Sequence, residues 1–149
     1  MTHRKIVVVG VDGSPASRAA LRWAVEQGAV TVEAVLASVR EPAFVPATSM
    51  GVYPYAHNPV LEHRHPERVL HEAVVEATAD LPDAPEVAEI LVTGDPGAAL
   101  VQASHRADLL VIGAKGRNTL VDVFPGSVAA HCVRHAACPV VVIPPGAVG

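Results

Sequence analysis

The segment Asp108-Leu-Leu-Val-Ile-Gly-Ala-Lys-Gly-Arg-Asn-Thr-Leu-Val-Asp-Val-Phe-Pro-Gly-Ser127 has three parts. An apolar run of strand length ends at Gly113, a loop carries glycines at 113 and 116, and Gly126-Ser127 opens a segment of helical period. A buried strand followed by a glycine-bearing loop and a helix is one half of a βαβ unit, and the rest of the chain repeats that alternation.

Four other Val-rich runs read as strands: Lys5 to Val11, Val32 to Val39, Glu86 to Val92 and Pro139 to Ile143, with Asp108 to Gly113 fourth in chain order. Each is nearly continuous in apolar or β-branched residues, as expected where both faces of a parallel sheet are covered. Between them lie helical stripes. Ala16, Ala19, Ala20, Trp23 and Ala24 share one face, and Ser14-Pro15 supplies an N-cap with proline at the first helical position. Leu70, Ala73, Val74, Ala77 and Leu81 form a second stripe, ended by Leu81-Pro82. A third helix runs from Pro96 to His105, and a fourth from Ser127 is expected to bury Val128, Ala129, Cys132, Val133 and Ala136. The order βαβαβαβαβ predicts one α/β domain over residues 1–149, a parallel sheet with helices on both faces. Glu41 to Pro66, with five prolines, interrupts the rhythm and reads as a long Pro- and His-rich loop.

Composition narrows the function. Half the residues are apolar but only two Phe, two Tyr and one Trp occur, so the core is built from Val, Ala, Leu and Ile. A formal net charge of −4 gives no basic footprint for nucleic acid or an anionic membrane. No apolar run approaches the roughly 20 residues of a membrane span, and the strand-like start leaves no room for a signal peptide. A soluble, cytoplasmic protein is expected. Cys132 and Cys138 are too few for a disulfide framework and read as reduced, buried thiols.

Ligands of open parallel sheets bind beyond the carboxyl ends of the strands, where the strand order reverses. The first strand ends in Gly10-Val11-Asp12-Gly13-Ser14 and the fourth in Gly113-Ala114-Lys115-Gly116. If these strands are neighbours, Asp12 and the glycine loop face one crevice. Glycines at 113 and 116 let backbone N–H groups approach an anion, and Gly126-Ser127 adds a helix N-terminus and a hydroxyl. That combination suits phosphate, with Lys115 and Arg117 as cations to balance its charge. Gly113 and Gly116 could instead merely shape a turn, and Asp12 could merely cap the turn at Gly13-Ser14. The pattern is neither a P-loop, since no Ser or Thr follows the lysine, nor a G-x-G-x-x-G loop after the first strand. Metal ligation by His57, His63, His65 and His71 lacks a thiol or carboxylate partner, and His131, His135 and Cys138 read as solvated histidines and a core thiol. A phospho-acceptor site would need an acidic neighbour of Asp12 and a lysine where Pro144-Pro145 stands.

Gly113-x(2)-Gly116-x(9)-Gly126-Ser127, Val11-Asp12-Gly13-Ser14, Gly94-Asp95-Pro96 and His135-Ala-Ala-Cys138-Pro-Val together resemble the universal stress protein family over nearly the whole chain. The resemblance implies a Rossmann-like, adenine-nucleotide-alpha-hydrolase-like sheet in order 3-2-1-4-5 and the ATP-binding branch of the family, with or without Mg²⁺. By position, Asp12, beside Gly13, would hold the ribose hydroxyls and the main chain at Val39 would meet adenine. Gly113, Gly116, Gly126, Ser127 and the Val128 amide would hold phosphates. It also implies a homodimer through Val140 to Ile143. Asn118, Thr119 and Asp122 have no recognisable catalytic spacing, so the expected role is a nucleotide-dependent regulator of the stress response with at most slow ATP hydrolysis. An ATP-consuming hydrolase or transferase using the same crevice, or a dimerising module with an empty pocket, are the alternatives.

Overall fold

The computed structural model describes residues 5–28, 30–38, 65–114 and 127–144. Its elements are β1 (Lys5–Gly10), α1 (Pro15–Val25), β2 (Val30–Ser38), α2 (Pro66–Thr78), β3 (Val87–Thr93), α3 (Pro96–Ser104), β4 (Leu109–Gly113), α4 (Ser127–His135) and β5 (Val140–Ile143). The five strands form one parallel sheet in the order β3-β2-β1-β4-β5. Of the loop read over Glu41 to Pro66, residues 41–64 lie outside the described residues, while His65 caps α2 and Pro66 occupies its first turn.

Alternation along the strands sorts side chains to two layers. Val7, Val9, Val32, Ala34, Leu36 and Val111 pack with Ala20, Leu21 and Ala24 of α1 and Leu70 and Ala73 of α2. Val8, Val35, Leu110 and Ile112 face the opposite way, towards Leu100 and Ala103 of α3 and Ala129 and Cys132 of α4. Right-handed crossovers require this division, because α1 and α2 carry the chain outward from β1 to β3 while α3 and α4 carry it to β4 and β5. Small alanine faces let the helices sit close to the sheet. The closest approach is at Gly113, where a Cβ would fall 2.7 Å from the Ala16 carbonyl carbon and 2.8 Å from its oxygen.

Three expectations need correction. The strands are not all covered on both faces: in β3, Leu91 is 47% and Val92 36% exposed. β3 is an edge strand, and α3, which leaves it for β4, packs over β1, β2 and β4 instead. Val133 does not join the buried stripe of α4 but is 59% exposed, since α4 leans chiefly on α3 and leaves that flank uncovered by described residues. The second helix stops at Thr78 rather than Leu81, where the Thr78 hydroxyl bonds back to the Val74 carbonyl at 2.9 Å.

Cys132 is fully buried, whereas Cys138 is only half-buried, beside Pro139 at the start of the edge strand. Burial first, then the nearby Asp95 charge, pushes the Cys132 thiol from its ordinary 9.0 up to about 11. Burial first, then Asp108, also raises Cys138.

Two predictions follow from this packing. Gly113→Ala should cost about 1–3 kcal/mol, because the added methyl meets α1 backbone that cannot turn aside. Gly10→Ala should cost less, since its added methyl meets the mobile end of Leu100 at 2.7 Å; urea midpoints of the two variants measure the difference. For Cys132, alkylation at pH 8 should be at least about 100-fold slower in the native protein than in the unfolded one, in line with its raised pKa. A thiol that prefers its proton when folded contributes stability below pH 9.0 that fades as pH rises towards 11, so denaturation midpoints should fall across that window.

Candidate functional site

Parallel pairing of Val7 with Leu109, Val8 with Leu110 and Val9 with Val111 makes β1 and β4 neighbours at the centre of the sheet. The chain leaves β1 towards one side and β4 towards the other, so the strand order reverses between them. The loops after the two strands therefore diverge and leave a crevice at the carboxyl edge, the position where open α/β sheets bind ligands. Asp12 and Gly13 follow β1 at that edge, and Gly113 and Ala114 end β4 there.

The turn after β1 is held by several hydrogen bonds. The Ser14 amide donates to Asp12 Oδ1 at 2.8 Å, an Asx turn, and Gly13 between them takes a positive φ of 84° that glycine adopts without strain. Ser14 is the N-cap of α1: its Oγ accepts from the Ser17 amide at 3.1 Å. The Ser17 hydroxyl donates to the Ser14 carbonyl at 3.1 Å and accepts from the Asp12 amide at 3.2 Å. Arg18 Nη1 closes the ring on the Gly13 carbonyl at 2.8 Å. Ser14 and Ser17 are buried, and Asp12 is partly so. The carboxylate thus stands fixed at the mouth of the crevice, beside the amino end of α1 and its positive dipole. Capping the turn, one of the two readings of Asp12, is a role this geometry bears out; it leaves the carboxylate at the crevice as well.

On the other side of the crevice, Gly113 pairs with Ile143, and the Ala114 amide donates to the Ile143 carbonyl at 2.8 Å. Gly113 has no positive φ; its missing side chain is needed by Ala16 of α1, a reason that sequence spacing does not disclose. Ser127 opens α4, as expected, and Val128 is partly buried in its first turn. Val39, Lys115, Gly116, Arg117 and Gly126 lie outside the described residues. Of the ten candidate residues, the structure therefore brings Asp12, Gly13 and Gly113 to one edge and sets Ser127 and Val128 at the amino end of α4.

Asp95 was read only as part of a motif. It is the N-cap of α3, with Oδ2 accepting from the Ala98 amide at 2.9 Å, and follows Gly94, whose φ of 143° permits the sharp exit from β3. Among the described residues no helix is long and apolar enough to cross a membrane.

This architecture is shared with known proteins. The universal stress protein of Lactobacillus plantarum superposes with a TM-score of 0.70 at 25% identity, covering 95% of this chain and 99% of that one. A universal stress protein solved in complex with cAMP gives a TM-score of 0.64 at 28% identity, covering 97% and 100%. Among curated relatives, a universal stress protein of Mycobacterium tuberculosis is 31% identical over 145 residues, 92% of this chain and 46% of the relative. One of Mycobacterium bovis is 27% identical over 150 residues, 93% and 47%. The chain spans about half the length of these curated relatives. The model of the universal stress protein family matches residues 3–144, which takes in every strand and helix described above. With strand order, switch-point crevice and sequence in agreement, the chain belongs to the universal stress protein family.

Proposed function

We propose that this chain binds an adenine nucleotide, ATP in particular, in the crevice between β1 and β4, and acts in the cytoplasm as a nucleotide-dependent stress regulator rather than as a dedicated catalyst. The observation that carries the reading is the fixed turn at Asp12, locked by its bonds to Ser14 and Ser17 at the switch point of the sheet. A carboxylate held there is suited to accept hydrogen bonds from vicinal ribose hydroxyls. The glycine spacing from Gly113 to Gly126-Ser127 supports phosphate contacts on the other side, with Gly116, the Val128 amide and the cations Lys115 and Arg117, while the main chain at Val39 would meet the base. A neighbour of similar sequence solved with cAMP supports an adenine nucleotide in this fold. Any Mg²⁺ would arrive with the phosphates and keep much of its water. Two free thiols are in keeping with a reducing compartment.

The reading extends to assembly: β5 ends the described sheet, and we infer a homodimer in which Val140–Ile143 pairs with its copy. A Val-rich edge left unpaired would invite aggregation. Because the carbonyls of Pro139 and Ile143 face β4, the backbone groups of Val140 and Val142 face outward.

Purified protein denatured and chromatographed should release adenine nucleotide, or bind ATP in calorimetry when purified empty; failure of both at millimolar ATP contradicts the proposal. Asp12→Asn keeps an oxygen for the Ser14 amide but removes the charge. It should leave thermal stability nearly unchanged and weaken ATP by about tenfold or more, the value of one charge-assisted hydrogen bond. For the dimer, Val142→Pro removes an outward N–H and should shift sedimentation from dimer to monomer. An unchanged dimer would place the interface elsewhere.

A further inference from the structure

His131 and His135 stand four residues apart on α4, both exposed. Residues at that spacing are neighbours on a helix surface. Here the two rings meet with centroids 4.6 Å apart and planes inclined at 44°, which is not a parallel stack.

The separation can be compared with what metal ligation demands. An imidazole nitrogen binds a first-row divalent cation at about 2.0–2.1 Å, which puts each ring centroid about 3.2 Å from the metal. Two such rings at a right angle have centroids about 4.5 Å apart, whereas a tetrahedral angle opens them to about 5.2 Å. The observed 4.6 Å matches the right-angled arrangement, the cis geometry of tetragonal Cu²⁺ or Ni²⁺.

His131 is also restrained by its surroundings. Its ring lies against buried Gly97 of α3, where a Cβ would come within 3.0 Å of Cδ2 and 3.2 Å of Cγ. The same point lies 3.3 Å from Asp95 Oδ2, so a carboxylate stands beside the ring and adds negative charge near a bound cation. No three His, Cys, Asp or Glu side chains converge on one point among the described residues, so this chain supplies a two-nitrogen chelate and water fills the remaining positions.

We propose that His131 and His135 form a cis chelate for a late first-row divalent cation, Cu²⁺ above all, on the outer face of α4 beside Asp95. The site is distinct from the nucleotide crevice and requires no bound nucleotide. Its affinity depends on the helix, because only the folded α4 holds the two nitrogens at the required separation.

The test uses untagged protein titrated with Cu²⁺ and followed by electron paramagnetic resonance and thermal melting. Wild type should show a site with two-nitrogen coupling and a rise in Tm with added Cu²⁺. His135→Ala, which does not touch Gly97, and His131→Ala should each lose that signature and weaken binding by about tenfold or more. His71→Ala, with its histidine on α2 paired to Glu89 at 2.9 Å, should retain both. An identical spectrum and unchanged Tm response in the His131→Ala/His135→Ala double variant would overturn the proposal, as would the absence of any site tighter than about 1 mM in the wild type.

Discussion

Pairing between β1 and β4 is the constraint on which the site depends. The two strands are more than a hundred residues apart in the chain, yet Val7, Val8 and Val9 align with Leu109, Leu110 and Val111 at the middle of the sheet. The pairing extends beyond the ladder: the Ile6 amide donates to Asp108 Oδ2 and the Asp108 amide to the Ile6 carbonyl, both at 2.8 Å. Once these strands are adjacent, the loops after them must part, and the chain's only freedom is what it places at their ends. Asp12 and Gly113 are those placements. The close seat of Ala16 over Gly113 shows that the crevice wall and the α1 interface are one piece of structure, so changes at Gly113 act on folding as well as on any ligand.

The turn at Asp12 illustrates how a polar cluster can be both structural and available to a ligand. Ser14 and Ser17 are buried, and their hydroxyls and amides satisfy one another within a single helical turn. That network fixes the backbone from Asp12 to Arg18 without recruiting distant side chains. The carboxylate of Asp12 is consequently held in place before any ligand arrives, which reduces the ordering cost of binding.

Much of this was legible in the sequence, for identifiable reasons. Unbroken runs such as Lys5 to Val11 mark strands in the interior of a parallel sheet, and Ser14-Pro15 and Asp95-Pro96 announce helix starts through capping chemistry that acts locally. Strand order came from family resemblance, since composition and periodicity say nothing about which strands are neighbours. What escaped was tertiary. Leu91 and Val92 look like core residues in a one-dimensional pattern, and only the path of α3 leaves them exposed. Val133 falls on the apolar stripe of α4, but the tilt of that helix decides which flank is covered. Gly113 was read through its neighbours in sequence; its contact with Ala16 could not be seen there. The candidate residues Val39, Lys115, Gly116, Arg117 and Gly126 lie outside the described residues, so their assignment rests on sequence and resemblance.

The central claim concerns location: an adenine nucleotide at the carboxyl ends of β1 and β4. Amide chemical shifts of the isotope-labelled protein, followed during titration with ATP, test it most directly. The account predicts saturable shifts concentrated on Val11 to Ser14, Gly113, Ala114 and the first turn of α4, with α2 and the amino ends of the strands unmoved. Saturable shifts confined to another surface, or none at millimolar ATP, would contradict it.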